Sequence, residues 1–181
     1  WRRLDLFLAE VERPLRLAES LRLVEDLAGT LREVHKRRIT HRMLTPQSVW
    51  LKPRRSDGAS TAVPLLTDLA LAAQESHTIA TTNTTYTRVG RLPVAATSAV
   101  ELVVGDPSAE TYLAPEAFTD PNADGVTLDV FSLGALAYLL ITGEPPATDR
   151  AGLRAALGQN GLSLAAVMPE VDPALEAVVR R

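Results

Sequence analysis

Residues 127–146 read TLDVFSLGALAYLLITGEPP. Val130, Phe131, Leu133 and the run from Ala135 to Ile141 make this stretch almost wholly apolar. A helix that is apolar all round is expected to be buried all round. The run is too short and too punctuated to read as a bilayer span. Thr127 reads as its N-cap, and Asp129 places negative charge at the positive end of the helix dipole. Gly143 follows the last apolar residues, and Pro145 and Pro146 forbid continuation. The stretch therefore predicts a central core helix with the other elements packed around it.

Length and composition bound the rest. The chain has 181 residues, 46% of them apolar, which suffices for one core and one domain spanning 1–181. A net charge of −3 makes no global case for nucleic-acid or membrane binding. Cysteine is absent, which removes disulfides, thiol catalysis and zinc–thiolate sites and fits a cytoplasmic location. The chain opens on Trp1 and ends on Arg180-Arg181 inside a helical pattern, so a piece of a longer protein is expected.

Outward from the core helix, residues 4–11 read as a short helix. Leu17, Leu21, Val24, Ala28, Leu31 and His35 recur at helical spacing, predicting an amphipathic helix from Pro14 to Arg38. Its terminal Lys36, Arg37 and Arg38 read as a solvated, dipole-compensating end rather than a nucleic-acid patch. Pro46 and its polar neighbours mark a loop; Ser48–Lys52 and Ala62–Leu66 predict a small hairpin around the turn 56–60. Residues 71–112 are long, threonine-rich and expected to be irregular, apart from an extra strand at Val100–Val104. Ala151–Leu157 reads as a short helix, and Asp172-Pro173 as the start of a last one. The expected class is mostly α (α+β), with one hairpin.

The order of motifs now carries a resemblance. His41-Arg42 precedes the hairpin, Thr67-Asp68-Leu69-Ala70 follows it, Tyr112-Leu113-Ala114-Pro115-Glu116 closes the long loop, and Asp129-Val130-Phe131-Ser132-Leu133-Gly134 opens the core helix. This order resembles the C-lobe of a protein kinase, from just after the hinge to near its end, and covers essentially the whole chain. The resemblance implies that the N-lobe is absent from this chain. It also implies that 71–112 corresponds to the activation segment, that Asp68 stands at the Mg²⁺-binding position, and that Asp129 ties down the catalytic-loop backbone. His41 becomes a packing residue and Glu116 the structural glutamate of the APE motif. Arg42 becomes a partner for a phosphorylated loop threonine among Thr81, Thr82, Thr84, Thr85 and Thr87, beside the plainer reading of that threonine excess as disorder.

The departures fall where the chemistry lies. The family loop reads H-R-D-L-x-x-x-N. Here Met43 stands at the position of the base, presumed inactive, and Ser48 at the metal-binding Asn. Thr45 stands where Ser/Thr kinases place a phosphate-contacting lysine, Leu69-Ala70 replaces Phe-Gly, and Ala109 replaces the usual threonine. Phosphoryl transfer depends on positioning and charge neutralisation. Loss of a general base alone costs roughly 10²–10⁴-fold; here base, cation and one metal ligand go together. Trp50 occupies the strand position beneath the adenine in the family, where it either obstructs or stacks on the base, or else turns into the core. The implied cofactors are ATP and Mg²⁺, bound weakly or lost.

Two readings follow. One is a pseudokinase-type module, kept for regulation or protein interaction within a larger bacterial multidomain protein, with protein partners or other domains of the same polypeptide. The other is an active or residual Ser/Thr protein kinase using Mg-ATP. A helical scaffold with no kinase relationship is disfavoured by the ordered motifs. Asp120 to Gly125 matches half of an EF-hand loop, but Phe131 stands where a bidentate glutamate is needed, so a turn is expected.

Overall fold

The structure is a computed structural model that describes residues 1–11, 15–56, 59–67, 73–74, 107–120 and 122–179. In chain order the elements are β1 (Arg2–Arg3), α1 (Leu4–Glu10), α2 (Leu17–Lys36), β2 (Ile39–Thr40), a 3-10 turn (Pro46–Ser48), β3 (Val49–Ser56), β4 (Ala59–Leu66), β5 (Ala73–Gln74), a 3-10 turn (Pro107–Tyr112), α3 (Glu116–Thr119), α4 (Gly125–Thr142), α5 (Arg150–Gln159) and α6 (Pro173–Val179). The fold is mostly helical with a small antiparallel sheet of order β1-β3-β4, beside a two-stranded pair β2-β5.

Helix α4 is the centre of the core, and its start differs from the expected one. Asp124, not Thr127, is the N-cap. Its carboxylate accepts the Thr127 N–H at 2.9 Å and the Thr127 hydroxyl at 2.6 Å. An aspartate three residues upstream of a threonine can satisfy both donors at once, so the helix begins three residues early. Asp129 then lies in the second turn, beyond the dipole's positive end, and is free for another role. At the other end Gly143 adopts φ 78°, the left-handed conformation that glycine tolerates, and its N–H closes on Leu139 O at 2.8 Å.

Nor is α4 buried all round. Leu128, Ala135, Leu136 and the run to Ile141 are buried, but Val126 is 37% and Val130 59% exposed. By length and a mean hydropathy of 1.7 the helix would also suit a membrane, yet 56% of it is buried inside the protein. Helix α2 packs across it, burying Ser20, Leu23, Leu27 and Leu31, and the Ser20 hydroxyl donates to the carbonyl of Leu140. Helix α2 starts at Leu17 rather than Pro14, which lies outside the described residues; the Glu19 side chain reaches back to the Arg16 N–H at 2.9 Å and sets that start.

The hairpin is longer than expected. β3 pairs with β4 from Val49↔Leu66 to Ser56↔Ala59, so only residues 57 and 58 lie between the strands. Val49, Leu51, Pro64 and Leu66 turn into the core, while Val63 and Leu65 face outward beside the half-buried Trp50, the period-two alternation of a one-sided sheet. Within the segment expected to be irregular, Ala73–Gln74 forms β5 against β2, and Pro107–Tyr112 forms a 3-10 turn. The proposed strand at Val100–Val104 lies outside the described residues. Asp120 makes the expected turn, accepting the Asn122 N–H at 2.8 Å.

Candidate functional site

The segment from His41 to Ser48 lies between β2 and β3 and is held from three sides. The first anchor is Asp129, fully buried on α4. Its Oδ2 accepts the His41 backbone N–H at 2.8 Å, and its Oδ1 accepts the Arg42 N–H at 2.6 Å. Two successive N–H groups converge on one carboxylate only if the chain turns sharply, and Arg42 accordingly has φ 66°. That left-handed backbone is costly for a residue with a side chain and persists because Asp129 over-determines it. The third donor is Nε2 of His35, on the last turn of α2, at 2.7 Å from Oδ2. A carboxylate can only accept, so Nε2 carries the proton. Periodicity placed His35 on the core stripe of α2; its polar role needed the approach of α4.

The second anchor is His41, also buried. Its Nε2 donates to Thr67 O at 2.9 Å, while its Nδ1 is buried with no partner among the described residues. The third is the Thr45–Ser48 turn. The Thr45 N–H donates to Ser48 Oγ at 3.0 Å, and that hydroxyl donates back to Thr45 O at 2.9 Å. The Ser48 carbonyl then accepts from both the N–H and the hydroxyl of Thr67, at 2.9 and 3.2 Å. Thr67 is thus tied by its N–H, its hydroxyl and its carbonyl, and the end of β4 is fastened to the loop.

The expected site residues are distributed as follows. His41, Arg42, Met43, Thr45 and Ser48 share this one loop, with Thr45 and Ser48 buried and Arg42 and Met43 half-buried. The Ser48 hydroxyl is engaged by the Thr45 backbone. Trp50 sits in β3 opposite Arg3 of β1 and Leu65 of β4. Asp68 follows Thr67 but lies outside the described residues, as do Leu69, Ala70 and the loop threonines from Thr81 to Thr87. Glu116 is exposed at the start of α3 and forms no ion pair among the described residues. No group of three or more potential metal ligands occurs among the described residues. The only charge the loop itself carries is Arg42. Its proximity contributes to holding the Asp124 carboxyl below the usual range, after the hydrogen bonds from the Thr127 hydroxyl and from the Thr127 and Val126 backbone.

Known proteins share this sequence pattern. Over 165 residues the chain is 37% identical to the probable kinase PglW of Streptomyces coelicolor, which covers 86% of this chain and 10% of that protein. Over 177 residues it is 30% identical to serine/threonine-protein kinase Pkn1 of Myxococcus xanthus, covering 96% of this chain and 22% of that protein. The chain is a relative of protein kinases. No family model matches it. The matched region spans about a tenth and about a fifth of the two kinases it resembles, so the relationship concerns one stretch of each.

Proposed function

We propose that this kinase relative is the C-lobe-like part of a protein-kinase fold with impaired phosphotransfer, serving regulation or protein interaction within a larger bacterial protein. The observation that carries the reading is the state of the His41–Ser48 loop. Its backbone is held by Asp129, His41 and Thr67, while its side chains supply no carboxylate base, and the Ser48 hydroxyl is engaged by the Thr45 backbone. A frame kept without its catalytic groups suits binding better than turnover. The C-lobe reading draws support from the topology: a long helix leads to β2 and the loop, then a hairpin, then β5 returning to β2, and finally a core helix whose aspartate reaches back to the loop. Asp68 is the residue assigned to any bound Mg²⁺, and Trp50 the residue lining the adenine side.

The test is calorimetry with Mg-ATP alongside a phosphotransfer assay, on the larger protein that carries this segment and on its Asp68→Ala variant. The reading expects no phosphotransfer and weak or absent binding. Turnover that disappears in the variant overturns it in favour of an active Ser/Thr kinase, the second reading, which the names of the two relatives favour.

A further inference from the structure

The stretch from Pro107 to Thr119 is held to the molecule unevenly. Among the described residues its backbone–backbone hydrogen bonds close within it: Leu113 N–H on Glu110 O at 3.1 Å, Ala117 N–H on Ala114 O at 2.9 Å and Phe118 N–H on Pro115 O at 3.2 Å. The first part is anchored by packing. Its 3-10 turn meets α4 and α5, and Ala109, Tyr112, Leu113 and Ala114 are buried. The last part, α3, is a single turn of four residues, none of them buried. A helix that short has no stability of its own. The contact at its far end is made by Arg150, whose guanidinium carbon lies 3.8 Å from the centre of the Phe118 ring, with both residues half-buried. Arg150 is the first residue of α5, directly behind the N-cap Asp149, whose carboxylate accepts the Gly152 N–H at 2.8 Å. A cation in that position opposes the helix dipole, so α5 gains nothing from it. Its Nε is also buried with no partner among the described residues, and a desolvated donor is costly. The closed contact is therefore favoured by stacking and opposed by two local costs, which is the balance of a contact that opens.

We propose that Arg150 and Phe118 form a latch. Closed, with the guanidinium over the ring, it holds α3 against α5. Open, it hydrates the Arg150 Nε and frees the residues from Pro115 to Thr119 while α2, α4 and the hairpin stay folded. The buried Tyr112, Leu113 and Ala114 mark the hinge side of this movement, because they remain packed when the latch is released. The inference concerns a contact inside the chain and stands whether or not the protein transfers phosphate.

The test is amide hydrogen exchange, read by mass spectrometry on the larger protein that carries this segment. Peptides covering 115–120 report the latch, and peptides covering α4 report global opening. Arg150→Gln is expected to speed exchange in 115–120 by roughly threefold to thirtyfold, with α4 unchanged. Phe118→Leu keeps an apolar side chain without the aromatic face and is expected to do the same. The two substitutions together should add little to either alone, since both remove one contact. Phe118→Trp, which offers a better face to the cation, is expected to slow exchange there. The proposal is overturned if Arg150→Gln leaves exchange in 115–120 untouched, if it speeds α4 by the same factor, or if the effects of Arg150→Gln and Phe118→Leu multiply as independent changes do.

Discussion

Asp129 carries three hydrogen bonds on one buried carboxylate, and two of the donors are backbone N–H groups that have no alternative partner if it is removed. Hydrogen bonds to a charged acceptor are worth about 1.5–3 kcal/mol each, and orphaned buried donors add their own desolvation cost. Asp129→Ala is therefore expected to destabilise the protein by about 3–5 kcal/mol, read from urea unfolding. Asp129→Asn keeps one acceptor oxygen and is expected to cost about half as much. Equal costs for the two would contradict the view that the carboxylate, rather than the bulk of the side chain, holds the loop. Asp124 offers a second, pH-dependent case. Its folded pKa is depressed, chiefly by the hydrogen bond from the Thr127 hydroxyl. Its contribution is thus present above the unfolded value near 4 and lost as pH falls through the lower folded value. Asp124→Ala is expected to cost about 1 kcal/mol at pH 7. The gap between variant and wild type should close as the urea series is taken below about pH 4.

At the scale of the element, two glycines in helices have opposite meanings. Gly125 opens α4 against β2, where an added Cβ would lie 2.4 Å from Thr40 Oγ1 and 2.7 Å from Thr40 Cβ. Gly29, in the middle of α2, has nothing within 4 Å of that position. Gly125→Ala is expected to lower stability by about 1–3 kcal/mol through steric displacement of β2. Gly29→Ala should raise it by about 0.5–1 kcal/mol through helix propensity alone. Thermal melts of the two variants should move in opposite directions. From sequence, both glycines read alike. The helices themselves were legible because apolar spacing and stop signals are local: α2 and the Gly143 end of α4 fall where periodicity and turn chemistry place them. The start of α4 was misread because Thr127 and Asp124 are both good caps, and the choice depended on which one could satisfy the other. The β2–β5 pair was invisible for a different reason. Two-residue strands have no periodicity, and they pair only because the fold brings 39–40 to 73–74.

Across the whole molecule, burial of α4 separates residues that look equivalent in sequence. Leu136 is fully buried where α4 meets the rest of the core, whereas Leu65 on the outer face of β4 is 46% exposed. Leu136→Ala is expected to cost about 2–5 kcal/mol by creating a cavity. Leu65→Ala is expected to stay within about 1 kcal/mol in the same urea titration, because little packing is lost at an outward position. A comparable loss at Leu65 would mean that the outer sheet face is covered in solution.

The amino-acid sequence by itself determined the main helices and the hairpin, the apolar centre around Leu136 and the kinase-like succession of motifs from His41 to Asp129. Each of these rests on short-range spacing or on residue type. Only the tertiary structure decided what Asp129, His35 and Ser48 do. Asp129 and His35 lie 94 positions apart in the chain, and their contact exists because α2 and α4 cross. The sequence leaves open what the Ser48 hydroxyl touches, and in the fold it exchanges hydrogen bonds with the Thr45 backbone. The exposed Val130 belongs with these: an apolar sequence sets a demand for burial, but which side of a helix is covered depends on where its neighbours pack.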